Sequence, residues 1–282
     1  MTREITGLHI HITGIVQGVG FRPFVYNLAI SLNLTGWVRN SSSGVEIEAF
    51  GENTSITNFV TRLKGSPPPL SRIDSFSTKP IAYSSHSGFS ILDSHSMKGE
   101  FLPISPDVSI CPACQSELFD PDNRRFHYPF INCTNCGPRF TIIQDIPYDR
   151  PKTTMSGFAM CKDCSDEYHD PSNRRYHAQP IACSVCGPSI KFTTSGSVIT
   201  DNETAILAAR KALTEGQILA IKGLGGYHLA CDATNPAAVD ALRSRKHRTD
   251  KPFALMAFTT QEIRKYVKVL DAEESLLESI QH

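Results

Sequence analysis

Apolar and polar positions change period several times along the first ninety residues. Leu8, Ile10 and Ile12 alternate with His9, His11 and Thr13, the two-residue period of a half-buried strand. Phe21, Phe24, Val25, Leu28, Ala29 and Leu32 then recur at helical spacing, and the extended stretches GWVRN and GVEIEAF flank an SSSG turn as a hairpin. Ile56, Phe59, Val60 and Leu63 mark a second amphipathic helix, and Arg72 to Ile91 supplies a final extended segment of one strand or two. The order βαββαβ predicts two helices packed on one face of an antiparallel sheet.

Near the other end, Thr200 and Glu203 form a capping box for a helix whose Ala205, Ala208, Ala209 and Ala212 share one face. QILAIK is expected to be a strand, Asn235-Pro236 the N-cap and first turn of another helix, FALMAF a strand, and Thr259 with Glu262 the cap of a last helix. About two strands do not complete an α/β sheet, so 200–282 is expected to be an incomplete α/β domain. Its open edge and uncovered apolar surface predict poor solubility or protease sensitivity beyond about residue 200. The polar stretch Ser94 to Gly99 and the following LPISPD suggest a linker over 94–108 between a first domain, 1–93, and a middle module, 109–192. TTSGSV marks the second break.

Composition narrows the classes. The 282 residues balance 28 Lys+Arg against 28 Asp+Glu with 40% hydrophobic residues, which excludes disorder and nucleic-acid binding by bulk charge. No apolar run is long enough to cross a bilayer, and MTREITGLHI lacks a signal-peptide stretch, so a cytoplasmic protein without a membrane partner is expected. Thiols stay reduced there, which turns nine cysteines toward metal or catalysis. Eight of them form four CxxC pairs, and a shift of fifty residues lays CPACQSELFDPDNRRFHYPFINCTNCGP over CKDCSDEYHDPSNRRYHAQPIACSVCGP. The middle is therefore an internal duplication.

A CxxC knuckle presents two thiolates from one turn, and two knuckles complete a tetrahedral zinc site. The repeat pairs Cys111, Cys114, Cys133 and Cys136 in one structural zinc site and Cys161, Cys164, Cys183 and Cys186 in another, with crossed pairing between copies open and redox dithiols as the alternative. Each such site carries a charge of −2, which brings the loaded chain to about −4. His127 and His177 stand at equivalent places but are left out of the metal sites, since each copy already has four thiolates. The arginine pairs Arg124–Arg125 and Arg174–Arg175 are assigned to charge compensation near the thiolates.

Two further features concern anions. Between the first strand and helix, GIVQGVGFR places Gly14, Gly18 and Gly20 before Arg22: converging backbone amides, a helix start and a guanidinium fork suit a phosphate, although such a turn also occurs as a turn alone. It matches neither the Walker nor the Rossmann glycine pattern. Farther on, Arg243, Arg245, Lys246, Arg248 and Lys251 cluster five cations, which serve either a solvated helix end or a nucleotide phosphate.

VQGVGFRPFVYNLA, GWVRN and GVEIEAFG resemble the signature stretches of the acylphosphatases, in order and at the right separations. The resemblance implies a ferredoxin-like domain in which Gln17, Gly18, Val19, Gly20 and Phe21 wrap a phosphoryl group, Arg22 binds it and Asn40 positions the attacking water. IKGLGGYHLACDA and RKHRTDKPFALM are similar to the YrdC-type synthases, which implies nucleotide contacts by Lys246, Arg248 and Lys251, with Lys222 in addition; the stretch Lys222 to Tyr227 departs from their threonine-rich turn. An acylphosphatase-like domain, a doubled four-cysteine, zinc-ribbon-like module and a YrdC-like start together resemble the N-terminal half of the hydrogenase-maturation carbamoyltransferases, the HypF family. That resemblance implies an α+β multi-domain protein with two zinc ions, cleavage of carbamoyl phosphate, adenylation of the carbamate with ATP and Mg, and transfer to a HypE-type partner for cyanide ligand synthesis. A fragment ending at His282 is expected to retain only the acylphosphatase-like step. The competing expectations are a generic acylphosphatase with zinc modules and an RNA-binding zinc protein, the latter predicting salt-dependent RNA affinity.

Overall fold

A computed structural model describes residues 5–95, 103–248 and 250–279. The expected linker lies partly outside them, at 96–102, as do 249 and 280–282 of the third segment.

The first domain has the order β1 (Ile5–Ile15), α1 (Phe21–Ser31), β2 (Thr35–Ser41), β3 (Gly44–Glu52), α2 (Asn53–Gly65), β4 (Arg72–Ile81) and β5 (Phe89–Ile91). The last extended segment thus becomes two strands, and the sheet runs β4-β1-β3-β2-β5. Pairing is antiparallel except that β5 lies parallel to β2. The register sets Ile10 against Ile47 and Ile12 against Val45, so one face of the sheet is apolar. Val25, Leu28 and Ala29 of α1 and Ile56, Phe59 and Leu63 of α2 bury against it. The other face carries cross-strand polar pairs: Trp37 Nε1 donates to Glu48 at 3.1 Å, and Arg39 binds Glu46 at 2.6 Å.

Each copy of the duplicated module opens with a short helix, α3 (Pro112–Leu118) or α4 (Lys162–His169), entered from Cys111 or Cys161 as N-cap. Turns build the remainder, with isolated bridges at Val108–Gly137, Cys133–Cys136 and Ile143–Thr153 in place of ribbon hairpins. His127 and His177 both adopt φ 53°, and their backbone amides donate at 2.9 Å to Leu118 O and Tyr168 O, so the repeat extends to a left-handed backbone position. The copies also exchange arginines. Buried Arg125 reaches Ala182 O at 2.9 Å and pairs with Glu167, while buried Arg175 reaches Asn132 O at 3.0 Å and pairs with Glu117. Neither copy satisfies its own arginine, so the two form one packed body.

The described part of the expected linker is docked. Ser105 is buried and donates to Gln17 O at 2.6 Å, and Val108 exchanges backbone bonds with Gly137.

The chain divides into two compact units between Gly187 and Pro188. The second unit holds a small hairpin, β6 (Phe192–Thr193) with β7 (Val198–Ile199), then α5 (Asn202–Thr214), β8 (Leu219–Gly223), β9 (Gly226–Ala230), α6 (Pro236–Arg245), α7 (Thr260–Arg264) and α8 (Asp271–Leu277). Three expectations need correction. The cap of α5 is Asp201, whose carboxylate accepts from Thr204 N at 2.9 Å, rather than Thr200. FALMAF forms no strand, because β propensity is realised only where a ladder is within reach; Met256 is 100% exposed and Phe258 72%. Thr259 caps α7 as expected, yet α8 follows it. QILAIK does become a strand, β8, closed by β9 into an antiparallel hairpin.

Candidate functional site

The loop between β1 and α1 enters the helix through two left-handed glycines, Gly18 (φ 72°) and Gly20 (φ 76°), the latter serving as N-cap. A Cβ on Gly20 would meet Thr134 at 2.8 Å, and one on Gly18 would meet Arg139 at 3.0 Å. The loop carbonyls are spent: Gln17 O accepts from Ser105, Gly18 O from the Arg139 guanidinium and Gly20 O from Phe24 N. The backbone amides of Gly18 to Arg22 have no protein acceptor among the described residues. Unpaired N–H groups at a helix start form a region of positive potential.

Gln17 braces this loop. Its amide donates to Ser41 O and Gly44 O, both at 2.8 Å, and its Oε1 accepts from Tyr148 N at 3.0 Å, so the side chain has no donor left for a ligand. Val19 and Phe21 are buried in the core behind it. Arg22 and Asn40 come together although they lie on α1 and β2. With its amide oxygen turned to the guanidinium, as its surroundings dictate, Asn40 accepts from Arg22 Nε at 3.2 Å and Nη2 at 3.3 Å. Arg22 also donates to Asp149 Oδ1 at 2.7 Å and to Ser94 Oγ at 3.4 Å.

Gln17, Gly18, Gly20, Arg22 and Asn40 line one cleft, whose opposite wall is made by Thr134, Arg139, Tyr148 and His177 to Pro180 of the duplicated module. That wall was not anticipated. Its signal lies where the two copies diverge: Arg139 and Gln179 correspond to Ser189 and Pro129. Burial, followed by the Arg22 charge and His169, pulls His177 down to about 3, so its imidazole is neutral near pH 7. Burial pushes the Tyr148 phenol up to about 12.

The eight CxxC cysteines gather in two groups, each drawn from one copy: Cys111, Cys114, Cys133 and Cys136, then Cys161, Cys164, Cys183 and Cys186, with the four sulfurs of each group within 4.8 Å of one another. Neighbouring sulfurs stand at 3.7, 3.8 and 3.4 Å in the first group and 3.8, 3.7 and 3.6 Å in the second. A zinc ion bound tetrahedrally at ~2.3 Å sets its sulfurs about 3.8 Å apart, so both groups fit zinc as closed, structural sites. The arginines compensate charge as expected, but across copies: Arg174 donates to Cys114 Sγ and Arg124 to Cys164 Sγ, each at 3.1 Å. Burial alone would raise the Glu167 carboxyl, yet hydrogen bonds from Arg125 and Arg124 hold it at about 2.

In the second unit Lys222 sits on β8, paired in register with Tyr227, whereas Lys246 caps α6 and Arg248 and Lys251 follow it. Arg248 stacks on Phe253 at 5.6 Å, and its buried Nε has no partner among the described residues. Lys246 and Lys251 are exposed. No helix is long and apolar enough to cross a membrane among the described residues.

Three family models match successive stretches of the chain. The Acylphosphatase model matches residues 8–91, the HypF finger model matches 110–143 and again 160–193, and the Telomere recombination model (Sua5, YciO, YrdC) matches 211–282. Carbamoyltransferase HypF2 of Cupriavidus necator is 49% identical over 96% of this chain and 34% of its own length. Carbamoyltransferase HypF of Synechocystis sp. is 51% identical over 96% of this chain and 35% of its own length. A crystal structure of full-length HypF in the phosphate- and nucleotide-bound form superposes with a TM-score of 0.91 at 49% identity, covering 99% of this chain and 36% of that one. The chain spans about a third of the length of these relatives. An acylphosphatase domain, two HypF fingers and a YrdC-type domain, each matched in turn along one chain, make this protein a counterpart of the N-terminal part of the HypF carbamoyltransferase family.

Proposed function

We propose that the cleft beside Arg22 binds and hydrolyses carbamoyl phosphate. The observation that carries this reading is the anion cradle itself: five consecutive backbone amides without protein acceptors among the described residues, bordered by the buried Arg22 and Asn40. The loop from Gln17 to Phe21 holds the phosphoryl oxygens through its amides, and Arg22 offsets their charge. Asn40, held to Arg22 through its amide oxygen, positions a water toward phosphorus. An acyl phosphate carries a good leaving group, so charge stabilisation and a placed water suffice and no covalent nucleophile is required. The eight CxxC cysteines hold two zinc ions that act on folding rather than on the reaction.

The carbamate released here is then adenylated with ATP and Mg at the YrdC-like domain. Arg248, whose Nε has no hydrogen-bond partner among the described residues, is the foremost phosphate contact there, joined by Lys246, Lys251 and Lys222. The carbamoyl group then passes to a HypE-type partner, the step that serves [NiFe] hydrogenase maturation. A cytoplasmic setting suits reduced zinc thiolates.

Substrate preference separates this reading from a generic acylphosphatase. Phosphate release from carbamoyl, acetyl and benzoyl phosphate is expected to give the highest kcat/KM for carbamoyl phosphate; equal or reversed preference contradicts the assignment.

A further inference from the structure

We infer that Asp149 and Arg139, both in the duplicated module, are positioning residues of the phosphate cleft, so that the acylphosphatase-like domain reaches its working geometry only with that module docked on it. The inference rests on the reading of the cleft as an acyl-phosphate site.

Asp149 lies 127 residues from Arg22 in sequence and binds its Nη2 at 2.7 Å, with the two side chains 22% and 9% exposed. Asp149 binds the guanidinium and is not among the residues that line the cleft. It therefore orients Arg22 rather than filling the anion's place. The contact is built into the fold: the preceding amide, Tyr148 N, is bonded to Gln17 of the loop, and the following one, Arg150 N, to Gln179 Oε1 at 2.7 Å. Asp149 is thus pinned on both sides between the loop and the second copy.

Arg139 acts on the loop backbone. It is 2% exposed, and its guanidinium donates to Gly18 O, Cys136 O, Pro138 O, Cys133 O and Thr134 O. All five acceptors are carbonyls, which leaves no donor for a ligand. In a planar trans peptide the carbonyl and the next amide point in opposite directions, so fixing Gly18 O fixes the direction of the Val19 N–H. Arg139 also leaves a fixed positive charge in the cleft wall, where an anion would meet it. The second copy has Ser189 at this place and no phosphate loop to hold, so the cation is found only in the copy that needs it.

The test uses the full chain with its zinc content measured. Inorganic phosphate affinity by calorimetry and steady-state hydrolysis of carbamoyl phosphate are compared for the wild type, Asp149→Asn, Asp149→Glu, Arg139→Gln and Arg139→Lys. Asp149→Asn and both Arg139 variants are expected to keep two zinc ions while weakening phosphate and raising KM by 10-fold or more, and Asp149→Glu is expected to recover part of the loss. Should Arg139→Gln lose zinc, Arg139→Lys and Asp149→Asn decide. Wild-type affinity and KM in those two variants would overturn the inference, as would tighter phosphate binding by Asp149→Asn. A wild type that neither binds phosphate nor hydrolyses the substrate would instead overturn the reading of the cleft.

Discussion

The guanidinium of Arg174 donates to Cys114 Sγ at 3.1 Å although the two residues belong to different copies of the repeat. Arg124 makes the reciprocal bond to Cys164 at the same distance. Each four-cysteine group therefore takes an arginine hydrogen bond from the other copy. Outer-shell partners of metal ligands typically account for 10–100-fold in affinity. Arg174→Gln, a change in the second copy, is expected to weaken zinc in the first site by about 10-fold or more. Chelator competition with metal analysis reads this as one zinc ion of two leaving early; simultaneous loss of both, or no change, contradicts the exchange.

Stability at mildly acidic pH carries the mark of His177. Its folded value near 3 lies below the ordinary 6.5 because burial, then the Arg22 charge, opposes the imidazolium. The unfolded chain binds the proton first, so this contribution is complete above about pH 6.5 and is lost as pH falls toward 3. His177→Asn, which tolerates the left-handed φ of 53°, is expected to flatten the decline between pH 6.5 and 4 by up to about 1.4 kcal/mol per pH unit. Denaturant titrations across that range check it, and parallel curves for variant and wild type would refute it.

Limited proteolysis is expected to cut the second unit before the first. Leu255, Met256 and Phe258 lie within four residues at 66%, 100% and 72% exposure without strand pairing, and Leu224 in the β8–β9 turn and Tyr227 at the start of β9 are 73% and 70% exposed. Mass spectrometry of early fragments should place the first cuts at 253–258 or 224–227; first cuts within 5–95 would contradict this.

How much of this was legible in the sequence depended on the range of the interaction. The βαββαβ order could be read because each element writes its own period, and the within-copy cysteine grouping because both copies repeat one spacing. Arg22 and Asn40 were reached through the resemblance of their stretches to a known family. Gly18 and Gly20 were legible as a turn, and the arginine pairs as partners of the thiolates. Arg139 and Asp149 were not, since their partners Gly18 and Arg22 lie 121 and 127 residues away. The difference between Arg139 and Ser189 was the one trace they left. FALMAF misled because its apolar run has β propensity without a strand beside it to pair with.

The account turns on Arg22 as the cation of an acyl-phosphate site, and phosphate release from carbamoyl phosphate by the wild type and by Arg22→Ala tests it most directly. Loss of one preorganised donor commonly costs about 100- to 1,000-fold in rate, and loss of the Arg22 charge together with such a donor should reach the upper end. A fall in kcat/KM of roughly 1,000-fold at unchanged zinc content is the expected result. Equal rates for the two proteins would contradict it.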